Sequence, residues 1–270
     1  MSEYGDFMAA AIAVAREAGT ILREALGEER QIAFKGQVDL VTEMDKRSET
    51  LIVGQLTARF PDHLVTAEEG SGPRTGESRY RWLIDPLDGT TNYAHGHPNF
   101  AVSIALQEDG RTIVGVVYDP TRDELYRAEL GGGAFRNDRP IRVSATDELI
   151  RSLIATGFPY NAAVRHIALA HWHALSFAAQ GTRRDGSAAI DLCAVACGRY
   201  DGFYEEYLGP WDCGAGALIV TEAGGTVTNY ENGPFDPFKG AVVATNGLLH
   251  EAILGVLRDS TPANENAAGS

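Results

Sequence analysis

Residues 82–93 read Trp82-Leu83-Ile84-Asp85-Pro86-Leu87-Asp88-Gly89-Thr90-Thr91-Asn92-Tyr93, an apolar run that ends in two carboxylates and a cluster of small residues. Trp82 to Ile84 have the composition of a buried strand, so Asp85 and Asp88 emerge at its end, where Pro86 and Gly89 bend the chain. Two carboxylates aimed at one point suit divalent cations. Magnesium takes oxygen ligands, keeps several waters, and is held by one or two carboxylates together with substrate phosphate. Gly89, Thr90 and Thr91 can start a helix whose free N–H groups and positive dipole end face a phosphate. The plain structural alternative is an acidic strand-to-turn boundary, because Asp, Pro and Gly are common turn residues.

Three further segments each place a carboxylate at the end of an element. In Val38-Asp39-Leu40-Val41-Thr42-Glu43-Met44-Asp45, Thr42 and Asp45 stand at the start of a helical run, which also reads as an N-cap followed by an acidic first turn. Thr66-Ala67-Glu68-Glu69-Gly70 is a paired-Glu loop after Leu64-Val65, a short apolar stretch with strand character; a solvated acidic loop is the simpler reading of it alone. In Gly209-Pro210-Trp211-Asp212-Cys213-Gly214-Ala215-Gly216-Ala217, Asp212 heads a Gly/Ala-rich helix. Dipole reasons alone favour Asp there. A helix opening on Gly and Ala nevertheless gives up propensity so that something can approach closely.

With these segments in this order and at these separations, the chain resembles the inositol monophosphatase family of magnesium-dependent, lithium-sensitive phosphatases. Phe100-Ala101-Val102-Ser103-Ile104-Ala105, Gly131 through Arg136 and Gly186-Ser187-Ala188-Ala189 extend the resemblance, which runs from residue 5 to about 257. It implies that Glu68, Asp85 and the backbone carbonyl of Leu87 hold one magnesium, and that Asp85, Asp88 and Asp212 hold a second, with Asp85 bridging. It further implies that the Gly89 and Thr90 amides hold phosphate, and that Thr90 with Asp45 orients or deprotonates a metal-bound water. Glu68 shares that duty if a third, weaker metal binds. The leaving alcohol would be read by Gly186, Ser187, Ala188 and Ala189, by Asp212 and by Glu205, six residues before Trp211. Ser187 stands where many relatives have Thr, and Glu206-Tyr207 falls in a stretch that varies among relatives.

The implied chemistry suits the residues. Phosphate monoester hydrolysis is among the slowest uncatalysed reactions, so a site must neutralise a dianion and present a nucleophile at neutral pH. Two cations about 3.5–4 Å apart do both, clamping the attacking and leaving oxygens of an in-line displacement. A covalent aspartyl phosphate would require Asp85 or Asp88 to serve as nucleophile and ligand together. The leading substrate is myo-inositol 1-phosphate. Histidinol phosphate, fructose 1,6-bisphosphate or a phosphorylated nucleotide is the alternative, as is a partner of the transcription machinery with residual phosphatase activity, a role that a bacterial relative plays.

The elements that must position these groups are legible in outline. The 270 residues, 44% hydrophobic, suffice for a large core in one or two domains, read here as 1–145, carrying Asp45, Glu68, Asp85 and Asp88, and 146–259, carrying Glu205 and Asp212. Residues 260–270 are small, polar and expected to be disordered. Phe7, Ala11, Val14, Ala18 and Leu22 form the apolar stripe of a surface helix. Two helices up to about Phe60 are followed by strands near 80–85, 99–107, 112–119, 124–129 and 141–144. A strand near 151, a helix over 161–179, one beginning at Ser187, a strand over 201–206, the Asp212 helix, strands near 226 and 242 and a helix from Leu248 complete the second half. The mixture is α+β, and the resemblance sharpens it to an α-β-α-β-α layered sandwich of the inositol monophosphatase and fructose-1,6-bisphosphatase type, with the site between the halves.

A net charge of −14 opposes direct nucleic-acid binding. The sequence has neither the basic start of a signal peptide nor a span for a membrane, so the expected setting is cytoplasmic. Cys193, Cys197 and Cys213 are read as free buried thiols. A homodimer follows from the resemblance. His166, His171 and His173 share a helical segment without a completing ligand set and are read as surface or interface residues. Gly131-Gly132-Gly133 lacks the Gly-Lys-Ser/Thr ending of a phosphate loop and is read as a strand-to-strand turn. Of Arg183 and Arg184, one is assigned to solvent and the other left open as a substrate contact.

Overall fold

The apolar stripe of the first segment becomes helix α1 (Gly5–Glu24), with Ala11, Val14, Ala18 and Leu22 fully or almost fully buried. A two-stranded antiparallel ribbon, β1 (Ile32–Phe34) and β2 (Leu40–Thr42), precedes α2 (Glu43–Arg59); neither strand is legible in the sequence pattern, because three residues are too few to show a period. The computed structural model describes residues 3–26, 32–34, 40–72 and 75–262. Val38, Asp39 and residues 263–270 of the expected tail lie outside them, whereas Ser260 closes the last helix.

Seven strands follow in a meander: β3 (Leu64–Ala67), β4 (Tyr80–Asp88), then, after the short helix α3 (Thr90–Ala94), β5 (Ala101–Glu108), β6 (Arg111–Asp119), β7 (Glu124–Glu129), β8 (Gly133–Arg136) and β9 (Arg139–Pro140). They lie side by side in chain order; β3 runs parallel to β4 and every other pair is antiparallel. The expected strand over 141–144 is absent: the strand pairing ends at Pro140, the Ile141 N–H still reaches the Ala134 carbonyl at 3.0 Å, and the Val143 N–H then turns away to the Ala223 carbonyl at 3.2 Å. The Gly131-Gly132-Gly133 turn joins β7 to β8 as read, and the Gly131 and Gly133 N–H groups donate to the Glu222 carboxylate at 2.8 and 2.9 Å.

The second half comprises β10 (Leu153–Thr156), α4 (Arg165–Ala178), β11 (Gly181–Arg183), α5 (Ala188–Ala196), β12 (Gly202–Glu206), α6 (Pro210–Glu222), β13 (Thr226–Thr228), β14 (Ala241–Thr245) and α7 (His250–Ser260). Its five strands are ordered β11-β10-β12-β14-β13. The layers follow from who packs on whom. α1 and α2 cover one face of the first sheet, α5 and α6 lie between the two sheets, and α4 and α7 cover the far face of the second. The result is α-β-α-β-α.

The middle layer explains the glycines of α6. A Cβ on Gly115 of β6 would lie 2.8 Å from the Ala215 carbonyl oxygen, one on Gly214 2.8 Å from Leu83, and one on Gly216 2.6 Å from Leu192 of α5. The close approach foreseen for this helix is therefore made by the protein itself, which brings α6 against both the first sheet and α5. Gly115→Ala is expected to cost about 1–3 kcal/mol, the usual effect of overpacking a filled interior; the check is a lower urea midpoint at unchanged m-value.

Candidate active site

Side chains alternate along a strand, so residues three apart belong on opposite faces. Asp85 and Asp88 escape that rule because the register of β4 on β5 shifts between them: Asp85 pairs with Ser103, but Asp88 pairs with Ala101. The extra residue is a bulge, which re-aims the side chain beyond it. Pro86 sits inside the bulge, where its missing N–H breaks no ladder bond, and its carbonyl accepts from Ser48 Oγ at 2.8 Å. Asp85 Oδ1 accepts the Leu87 N–H at 2.9 Å. Gly89, with φ of 97°, turns the chain into α3; a Cβ there would lie 2.9 Å from the Asn99 carbonyl oxygen, so conformation and space both require glycine.

The third carboxylate comes from the other half. Asp212 lies in the first turn of α6, and its Oδ2 accepts the Gly209 N–H at 2.6 Å. Ser103 donates to the Trp211 carbonyl at 2.9 Å, tying that helix start to the strand residue opposite Asp85. One oxygen each of Asp85, Asp88 and Asp212 all lie within 4.8 Å of one another. Burial first, then the Glu68, Asp88 and Asp212 carboxylates, push Asp85 well above the usual carboxylate range. Burial and Asp212 push Asp88 up to about 7, opposed by the Ser187 hydroxyl and the Ala189 and Ala188 amides. Ser187 Oγ donates to Asp88 Oδ2 at 2.5 Å and the Ala189 N–H to the same oxygen at 2.8 Å. All-oxygen donors crowded to mutual repulsion fit a hard divalent cation.

The cluster opens into a cavity of about 230 Å³. From the first half it is lined by Glu68, Asp85, Leu87, Asp88, Gly89 and Thr90, and from the second by Gly186, Ser187, Ala188, Glu205 and Asp212. Two residues picked from the sequence stand behind that lining. Asp45 is fully buried and accepts from Thr90 Oγ1 at 2.9 Å, while Ala189 gives its amide to Asp88. Thr90 Oγ1 also lies 3.1 Å from the Leu87 carbonyl.

Glu68 follows β3, its N–H donated to the Ile84 carbonyl at 3.1 Å. The fully buried Glu49 of α2 holds the same loop by accepting the Glu69 and Ser71 amides at 2.7 and 2.8 Å. No sequence signal marks Glu49, since an acid in mid-helix reads as a solvated face. Gly157 is likewise unmarked: a Cβ there would occupy the place of the Glu205 carboxyl. Burial first, then Asp212, pushes Glu205 up to about 8, with Arg184 pulling it down. Both arginines are exposed; Arg184 lines the cavity, its guanidinium 5.9 Å from the Phe158 ring centre, and Arg183 donates to the Thr182 carbonyl.

Two expectations change. His171 is not a surface residue but is buried at 2% exposure, its Nε2 3.1 Å from Thr261 Oγ1, and burial lowers its basicity. His166 and His173 are exposed. Cys193 and Cys213 are buried free thiols, and Cys197 is only half-buried. Burial and Asp212 push the Cys213 thiol up, which keeps it protonated and unreactive.

A sequence model of the inositol monophosphatase family matches residues 4–261. The chain belongs to that family. It is 45% identical over 239 residues to inositol-1-monophosphatase of Synechocystis, covering 87% of this chain and 83% of that one. It is also 43% identical over 256 residues to the putative Nus factor SuhB of Neisseria meningitidis, covering 93% and 97%. Among solved structures, inositol monophosphatase from Anabaena superposes with a TM-score of 0.87 at 42% identity, covering 97% and 99% of the two chains. The chain is accordingly a phosphoric monoester hydrolase of a metal-dependent family.

The raised carboxyls are expected to make stability depend on pH and on a bound divalent cation. Asp88, at about 7, and Glu205, at about 8, bind protons more tightly folded than unfolded, so their contribution is present below the ordinary carboxylate value and is lost as pH rises toward 7–8. With EDTA, the thermal midpoint is expected to fall between pH 5 and 8 (about the span between ordinary and raised values). Magnesium is expected to raise the midpoint most at the upper end of that range; a cation effect independent of pH would contradict the assignment.

Proposed function

We propose that the protein hydrolyses myo-inositol 1-phosphate with magnesium, two or three ions per site. The observation that carries this reading is that the Asp85–Asp88–Asp212 cluster, which suits divalent cations, and the Glu205 carboxyl, which suits a hydroxyl of the alcohol, line one polar cavity. Glu68, Asp85 and the Leu87 carbonyl would hold one cation, and Asp85, Asp88 and Asp212 the next. When bound, these cations neutralise the phosphate dianion and make water acidic enough to serve as nucleophile at neutral pH.

The chain's own groups do the rest. The first amides of α3 and its approach have no acceptor within the helix, so the Gly89 and Thr90 N–H groups donate to phosphate oxygens. Thr90, whose hydroxyl donates to the buried Asp45, accepts from the attacking water and so orients it, and as the water O–H bond breaks its proton passes to the Thr90 oxygen while the Thr90 proton passes to Asp45. Ser187 and Ala189 hold Asp88 in place, and Glu205 accepts a hydroxyl of the leaving alcohol beside Gly186, Ser187, Ala188 and Asp212. Lithium inhibition, a homodimer and a cytoplasmic setting belong to the same reading. Among the described residues no helix is long and apolar enough to cross a membrane, and the net charge of −14 disfavours a nucleic-acid substrate.

Similarity to a protein named as a putative Nus factor supports a second role as a transcription-machinery partner, which immobilised protein would report by retaining purified RNA polymerase. The primary test is phosphate release from inositol 1-phosphate, histidinol phosphate, fructose 1,6-bisphosphate and a nucleoside monophosphate with magnesium, EDTA or added lithium. Magnesium-dependent, lithium-suppressed preference for inositol 1-phosphate is expected. Asp88→Asn is expected to lose at least about 100-fold in kcat, the scale for removing an electrostatic stabiliser, while keeping its circular dichroism. Near-normal turnover by that variant would refute the ligand assignment.

A further inference from the structure

One acid of the cavity is left without a task by the reaction described above. Asp191 lies on α5 one turn beyond the helix N-cap Ser187, so the two share a face, and it lines the same cavity as Glu205 and Arg184. It is 1% exposed, and its Oδ1 is buried with no hydrogen-bond partner.

A local structural role does not account for it. The α5 N-terminus is capped by Ser187, whose Oγ accepts the Ile190 N–H at 3.4 Å, and the Asp191 backbone is satisfied by its own bond to the Ser187 carbonyl at 3.0 Å. The Arg184 guanidinium lies over the Phe158 ring. Asp88 is held by Ser187 and Ala189, not by Asp191. Burial, then the Asp185, Glu205 and Asp88 carboxylates, push the Asp191 carboxyl up against the opposing charge of Arg184, so this position is unfavourable for the folded chain. Buried polar groups are almost always partnered, so one left unpaired at a cavity wall has hydrogen-bonding capacity that a ligand in the cavity can satisfy.

We propose that Asp191 is a specificity-determining residue that accepts a hydroxyl of the leaving alcohol alongside Glu205, so that the site selects polyhydroxylated alcohols. The inference rests on the phosphomonoesterase reading and deepens it. Two carboxyls lining one cavity match an alcohol with more than one free hydroxyl. An alcohol without them leaves Asp191 buried and unpaired, and sites built to hydrogen-bond a hydroxyl reject analogues lacking it far more strongly than apolar pockets reject a missing methylene.

The test compares kcat/KM for inositol 1-phosphate, glycerol 2-phosphate and p-nitrophenyl phosphate, whose leaving group has no further hydroxyl, in wild type, Asp191→Ala and Asp191→Asn. The ratio of inositol 1-phosphate to p-nitrophenyl phosphate is expected to fall about 10-fold in Asp191→Ala and about threefold in Asp191→Asn, chiefly through KM. Thermal midpoints are expected to match or exceed that of wild type, because an unpaired buried carboxyl is removed. Equal losses on both esters, or midpoints lowered in both variants, would overturn the inference and leave the inositol reading intact. If wild type ignores inositol 1-phosphate, that reading falls, and the glycerol 2-phosphate to p-nitrophenyl phosphate ratio decides on Asp191 by the same criterion. Should Asp191→Ala not fold, an unchanged ratio in Asp191→Asn is sufficient to reject it.

Discussion

Three carboxylates crowded together, two of them buried and the third half-buried, are the constraint on which this structure depends. Asp85, Asp88 and Asp212 repel one another, and burial strengthens that repulsion, so each must be restrained by donors that the fold supplies. The Leu87 amide restrains Asp85, the Ser187 hydroxyl and Ala189 amide restrain Asp88, and the Gly209 amide restrains Asp212. Every one of these donors is at an element end or in a bulge. Backbone groups are free only there, because helix and ladder bonds consume the rest.

The architecture follows from bringing those ends to one place. β4 ends at Asp88, α3 begins immediately after, and α5 and α6 both start at the cavity from the second half. α5 and α6 form the layer between the sheets, so the packing that buries Leu83, Ala105, Cys213 and Ile219 also sets how far Asp212 lies from Asp85. Small residues at Gly115, Gly214 and Gly216 let that layer approach both neighbours. A core and a site are thus built by the same contacts, and loosening one moves the other.

Much of this was legible in the chain. The acidic strand end, the glycine and threonine after it, the helix heads at Ser187 and Asp212 and most strands of both halves could be read from residue type and period, because amphipathic alternation and turn chemistry are local. Short pieces escaped: the β1–β2 ribbon, β8 and β11 have three or four residues each, too few for a period to emerge. His171 was misread because the helix stripe around it is broken by Trp172 and His173, and its burial depends on α7 and Thr261 packing against it.

What the sequence determined by itself is the inventory: which acids, hydroxyls and glycines exist, and at which strand and helix ends they stand. The tertiary structure decided their convergence. The bulge that turns Asp88 to the side of Asp85, the reach of Glu49 to the loop of Glu68, the space that Gly157 leaves for Glu205, and the stranding of Asp191 at the cavity wall all arise between segments far apart in the chain. Periodicity encodes which face of an element is buried. It carries no information about which other element meets that face, because that is set by packing two sheets and three helix layers against one another at once.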